Sequence, residues 1–174
     1  MRGISSNFFK IELFTPSLCT FKFTGIPFHK ICGSGLSSVK QVNIAAVMYS
    51  IGDKAPMVLF NWLREFTNVK SLIVSSTTLQ ILSLVPDLLE VELPSFGNLK
   101  SMEIKLEPIE VQLGLPFILK DAMLKRAIAT SRKEAAKVRK AFKAGWKPPS
   151  IPDGIVNFLL QNSPSAKVDI TTIY

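Results

Sequence analysis

The sequence predicts an α/β fold in which short parallel strands stack side by side, helices run along their outer side, and a basic helix is inserted near the C-terminal end. Three observations predict it. First, three segments superimpose at a fixed step of thirty residues: Ser38-Val39-Lys40-Gln41-Val42-Asn43-Ile44, Asn68-Val69-Lys70-Ser71-Leu72-Ile73-Val74 and Asn98-Leu99-Lys100-Ser101-Met102-Glu103-Ile104. Second, the intervals between them carry helical patterns. Third, the formal net charge of +8 is confined to one stretch: Lys120 to Lys147 holds ten Lys and Arg and two acids, and the rest of the chain carries eleven of each. Any electrostatic argument therefore concerns that stretch alone.

Each thirty-residue match keeps aliphatic groups or Met at the first, fourth and sixth places of a Φ-x-x-Φ-x-Φ core, with Lys after the first. The last two Φ positions have period 2, so they point inward from a strand and the residue between them points out. Self-similarity at this interval is the signature of a stacked repeat, and the core is that of the leucine-rich repeat. One unit cannot bury its apolar face alone, so the units must stack. Val42, Leu72 and Met102 are expected to lie inside, one above another.

Two further Φ-x-x-Φ-x-Φ matches, Phe8 to Leu13 and Leu18 to Phe23, lie only ten residues apart. That leaves no room for a helix, so this end is irregular, with Pro16, Gly25, Pro27, Gly33 and Gly35 supplying turns. In Ala55 to Phe66, Leu59, Trp62, Leu63 and Phe66 form one helical stripe, with Pro56 suited to the first turn. Ser76 to Leu84 reads as a shorter helix with Ser or Thr at its N-cap and Pro86 beyond its end. Leu88 to Leu93 also alternates like a strand.

Lys120 to Lys143 contains no Gly or Pro and is rich in Ala, which predicts one continuous helix with Ser131 at its midpoint. Its narrow apolar seam is Leu124, Ile128, Ala135, Val138 and Phe142, expected to pack on the stack while Lys125, Arg126, Arg132, Lys133, Lys137, Arg139, Lys140 and Lys143 face water. Gly145, Pro148 and Pro149 close the element. A short helix follows from Pro152-Asp153-Gly154 to Leu160, then a last strand from Ala166 to Ile170. The chain reads as one domain, 1–174, with the basic insertion at about 120–147.

With 174 residues and 47% hydrophobic content the chain is long enough for a core. No apolar run reaches the ~18 residues of a membrane span, and the first residues lack a secretory pattern. Cys19 and Cys32 are too few for a disulfide scaffold and are expected reduced, in cytoplasm or nucleus.

The stretches Phe60 to Leu72, Leu84 to Leu89, Asn98 to Ser101 and Ile151 to Pro164 resemble plant F-box/leucine-rich-repeat proteins with RNI-like repeats and an FBD-type region. The similarity runs from roughly Thr15 to Ile170. It implies a substrate-recognition role in a Skp–cullin–F-box ubiquitin ligase, in which the repeats select a target protein. The repeats begin almost at once here, so a Skp-type adaptor is expected as a partner only if an F-box is encoded upstream.

The residues flanking the fourth Φ point away from the core, onto the concave sheet face. They are Thr20 and Lys22, Gln41 and Asn43, Ser71 and Ile73, Ser101 and Glu103, Lys167 and Asp169. Their mixture of small, amide and charged groups suits contact with a macromolecule; the alternative is a solvated face with no partner. His29, Cys32 and Cys19 fall one ligand short of a structural zinc site and lack an orienting group for a nucleophile, which leaves a packed Cys and a surface His. Gly33 to Ser38 lacks the Gly-Lys-Ser/Thr of a phosphate loop, and Glu103, Glu107 and Glu110 show no acid/base pairing. No catalytic residue, cofactor or metal is expected. The alternative function is an electrostatic module on nucleic acid or anionic membrane through the basic helix. Only Phe142 and Trp146 are available for base stacking, and the seam is poor in the large apolar groups a membrane surface needs, so the target-protein reading leads.

Overall fold

The computed structural model describes residues 10–12, 18–33, 35–50, 54–108 and 114–174. Phe8, Phe9, Leu13, Pro16 and Glu110, invoked above, lie outside the described residues. The chain forms a mixed α/β structure around a parallel five-stranded sheet. Its strands are β2 (Thr20–Gly25), β4 (Gln41–Ala46), β5 (Ser71–Ser75), β6 (Ser101–Leu106) and β7 (Lys167–Thr172), neighbours in that order. Two short strands, β1 (Lys10–Glu12) and β3 (Lys30–Cys32), pair in parallel as a separate sheet.

The thirty-residue step is the register itself. Val42 opposes Leu72, and Leu72 opposes Met102, with Phe21 and Val168 continuing the row at either side. β4, β5 and β6 are each entered through one recurring contact: a single carbonyl accepts two successive amides from the next segment. Cys19 accepts from Lys40 and Gln41, Lys40 from Lys70 and Ser71, and Lys70 from Lys100 and Ser101, at 2.7–3.2 Å. Three exposed lysines, Lys40, Lys70 and Lys100, thereby border one edge of the sheet.

Helices cover the inward face. α1 (Ala55–Glu65) follows β4, begins with Pro56 in its first turn, and buries Leu59, Phe60, Trp62 and Leu63. Trp62 sits edge-on to Phe21 and Phe23 of β2, with ring centroids 5.9 and 4.7 Å away. Its indole N–H donates to the His29 carbonyl at 2.6 Å. α2 (Ser76–Leu82) is buried on every side, polar residues included, and a helix of that kind must find internal partners for its hydroxyls. It does. Ser75 caps it by accepting from the Thr78 amide. The Thr78 hydroxyl donates to the Ile44 carbonyl and accepts from the Ala46 amide. Ser76 accepts from the Glu107 amide, and Thr77 donates to the Glu107 carboxylate. Replacing Thr78 by Val keeps the shape and strands the Ile44 carbonyl and Ala46 amide. Urea denaturation should show a loss of about 1–3 kcal/mol through a lower midpoint at unchanged slope.

The basic stretch departs from its expected form. It begins at Leu115 rather than Lys120 and is two helices, α3 (Leu115–Thr130) and α4 (Arg132–Lys143). The break is Ser131, which takes an extended backbone and accepts from the Glu134 amide at 3.1 Å. A Ser followed three residues later by Glu is an N-terminal cap, and here it outweighs the helical propensity on either side. The apolar seam is also different. Leu115, Ile118 and Leu119 join the main core, and Ala127 and Ala135 are buried apart from it. Leu124, Val138 and Phe142 are half-buried, and Ile128 is exposed. The reason is the break, which turns the second half of the seam back onto α3.

Other differences are smaller. Leu88–Glu90 is a 3-10 turn, not a strand, because Asp87 in the left-handed region (φ 54°) redirects the chain after Pro86. α2 ends at Leu82. The match at 8–13 contributes β1, which pairs with β3 and does not join the main sheet. β3 was not expected, since its segment reads as turns. α5 (Ile155–Leu159) follows Gly154, whose φ of 78° favours glycine. Beyond it, Gln161, Asn162 and Ser163 bond the backbone of Leu93, Ser95 and Phe96.

β7 is exposed along its whole length. Val168 and Ile170, which continue the inward rows, are 37% and 56% exposed because no helix among the described residues covers that face of the strand. No helix among the described residues is long and apolar enough to cross a membrane.

Candidate functional site

The ten sheet-face residues picked out from sequence fall into two unbroken cross-strand rows. Thr20, Gln41, Ser71, Ser101 and Lys167 are in mutual register, and so are Lys22, Asn43, Ile73, Glu103 and Asp169. With strands about 4.8 Å apart, each row crosses roughly 19 Å. All ten side chains are exposed or half-buried, because the helices pack on the opposite face. The Asn ladder beside them is part of the same border: Asn68 donates to the Ser37 carbonyl, and Asn98 approaches the Asn68 amide oxygen at 3.4 Å.

The rows carry little charge pairing among themselves. Lys167 and Asp169 form an exposed ion pair at 3.4 Å, and Thr171 donates to Glu103 at 3.1 Å. An exposed pair of this kind contributes little stability, so these groups are available to exchange partners. Ile73 is the one aliphatic member, near the centre of its row. A half-buried aliphatic group ringed by amides, hydroxyls and charges matches the anatomy of a small recognition patch.

The basic residues are arranged differently. Lys125 pairs with Asp121 at 2.9 Å, one helical turn away. Arg126 donates to the Ser83 carbonyl at 3.0 Å, which ties α3 to the end of α2. Lys120 lies over the Phe142 ring at 5.7 Å. Arg132, Lys133, Lys137, Arg139, Lys140 and Lys143 are exposed on α4, with Lys140 and Lys143 in its last turn and Glu134 in its first, where each complements the helix dipole. The break at Ser131 therefore splits the set: two of the eight are engaged on α3 and six stand on a separate helix.

The remaining candidates resolve into structure. Cys19 is exposed, not packed, because its carbonyl serves the entry to β4 while its side chain faces water. His29 is half-buried beside the Phe28 ring, and the side chain of Cys32 lies outside the described residues. The glycine-rich segment ends in a 3-10 turn, Leu36–Ser38, whose Ser38 hydroxyl lies 2.9 Å from the Leu18 carbonyl. Among the described residues no three His, Cys, Asp or Glu side chains are grouped to hold a metal ion. Sequence reasoning also missed a cleft between the end of α2, the Leu88–Glu90 turn, α3 and the segment after α4. No family model, curated protein or solved structure matches this chain.

Proposed function

We propose that the chain is a leucine-rich-repeat array of RNI-like type, and that its exposed sheet face binds a target protein, as the substrate-recognition region of an F-box ubiquitin-ligase receptor does. The observation that carries the reading is the alignment of ten side chains, nine polar or charged around the single aliphatic Ile73, into two continuous rows on the sheet face opposite the helices. An invariant strand spacing with variable side chains is how a stacked array presents a specific surface. The reading assigns no catalytic group, cofactor or metal to the chain, and a Skp-type adaptor enters only through an F-box encoded upstream. The six free-standing basic residues of α4 are a solvated face in this account.

The test places a photo-crosslinking side chain at Ile73, and in a second protein at Ile128, which is exposed beside the α3–α4 break. A discrete protein adduct is expected from position 73. It should be competed away by unlabelled chain and abolished by Asn43→Arg with Ser101→Arg, two changes that leave the buried face untouched. Adducts arising from position 128 and insensitive to the row substitutions would transfer the function to the basic helices and overturn the sheet-face account.

A further inference from the structure

β7 is an open edge. From Lys167 to Thr172 it pairs with β6 without a bulge, and no strand among the described residues pairs with its other side. The Lys167 amide donates to the Lys100 carbonyl at 2.9 Å, and the Ile173 amide to the Leu106 carbonyl at 3.1 Å. Residues 167, 169, 171 and 173 therefore turn their backbone groups toward β6, and Val168, Ile170 and Thr172 turn theirs to the open side. Protein edges are commonly blunted by proline, by a bulge or by an inward-pointing charge. β7 has none of these. Its inward side chains are Val168, Ile170 and Thr172, all exposed, and its two charges, Lys167 and Asp169, point outward and neutralise each other at 3.4 Å.

Those two charges are self-complementary, and this selects a second copy of the chain as the occupant. A two-fold axis perpendicular to the sheet sets β7 antiparallel to the partner's β7 and keeps both inward faces on one side. With Val168 opposite the partner's Val168, Lys167 lies opposite the partner's Asp169, and Asp169 opposite the partner's Lys167. These are non-hydrogen-bonded positions, where side chains approach most closely. The neighbouring registers that keep the faces together oppose Lys167 to the partner's Lys167, or Asp169 to the partner's Asp169, and like charges directly opposite are unfavourable. One step further, centred on Ile170, no charges are paired. In the favoured register Val168 exchanges two hydrogen bonds with the partner's Val168, and Ile170 meets the partner's Ala166. Head-to-tail pairing of β7 onto the partner's β2 would align one charge pair, not two, and would not close. We propose that two copies of this chain pair antiparallel through β7, joining their five-stranded sheets into one, with the two Lys167–Asp169 cross-strand pairs fixing the register. The contact is small against the roughly 800 Å² per partner of a stable complex. It forms by mass action in concentrated solution and leaves β7 bare in dilute solution.

Sedimentation equilibrium on the full chain, from about 10 µM to about 1 mM, should show reversible association of monomers to dimers and no larger species. In ¹H–¹⁵N spectra over the same range, the Val168 and Ile170 amides should shift with concentration. Asp169, whose amide faces β6, should move less, and Leu72 in the central strand not at all. Lys167→Asp sets carboxylate opposite carboxylate twice and should weaken association about tenfold. The same substitution lowers the net charge of +8 and so eases general repulsion between copies, which makes a weakening specific to the cross-strand pairs. Lys167→Asp combined with Asp169→Lys rebuilds both pairs and should associate within about threefold of the unsubstituted chain. Val168→Pro removes an amide hydrogen that faces the open side and should abolish the dimer. Should that variant fail to fold, the charge substitutions, at exposed positions, carry the test. Absence of association at about 1 mM would overturn the proposal. So would association that Lys167→Asp leaves unchanged, a loss that the exchanged pair does not restore, or growth into species larger than dimers.

Discussion

Trp62→Ala should be the most damaging single substitution in the chain, lowering stability by about 3–5 kcal/mol. Three losses coincide at this position. The indole is 2% exposed, so its removal opens a cavity that the surrounding rings cannot fill without moving. The edge-on contacts with Phe21 and Phe23 vanish, which leaves the Phe21–Phe66 contact at 5.1 Å to join β2 to the end of α1. The His29 carbonyl also loses its 2.6 Å donor. For a domain of this size the melting temperature should fall by roughly 6–20 °C. Trp62→Phe separates the terms: it keeps a ring in the site and forfeits the N–H, and should cost about 1–3 kcal/mol. If Trp62→Ala melts with the unsubstituted protein, the aromatic cluster does not hold the sheet edge and the account of β2 is wrong.

Leu72→Ala should cost about 2–5 kcal/mol, and its effect should depend on place rather than chemistry. Leu72 lies in the central strand with Val42 on one side and Met102 on the other, and is wholly buried. Val168 continues the same row but is 37% exposed at the edge strand. Val168→Ala should therefore cost only about 0.5–1 kcal/mol. Urea titrations of the two proteins, compared through their midpoints at a common slope, give the contrast directly. Equal losses at the two positions would mean that β7 is covered in solution.

The sheet order and its register were legible in the residues because inward positions recur at period 2 inside a longer period of thirty. Val42, Leu72 and Met102 announce one another without any knowledge of the fold. The outward rows followed for the same reason: fixing the inward residues fixes the faces of their neighbours. What was not legible depended on distant partners or on competing local signals. The buried amide of Gln80 donates to the carbonyl of Pro149, 69 residues later. β3 is three residues long, and only its pairing with β1 defines it. The break at Ser131 did carry a signal, Ser131 with Glu134, but it stood among Ala and Lys residues that each favour helix. The exposure of Val168 and Ile170 has no local signature, since burial of a strand face depends on what comes to rest against it.

The buried hydroxyls of α2 determine how the molecule comes apart. Thr78 reaches back 32 and 34 residues to the end of β4, and Ser76 and Thr77 reach forward 31 and 30 residues to Glu107. One helical turn thus joins the segment before it, by buried bonds, to the segment after it, by half-buried ones. Opening either neighbour alone strands polar groups of the other in the interior, so partial unfolding at the centre is penalised twice. The three central segments are thereby coupled into one melting unit, while the exposed seventh strand stands outside it and is free to fray independently.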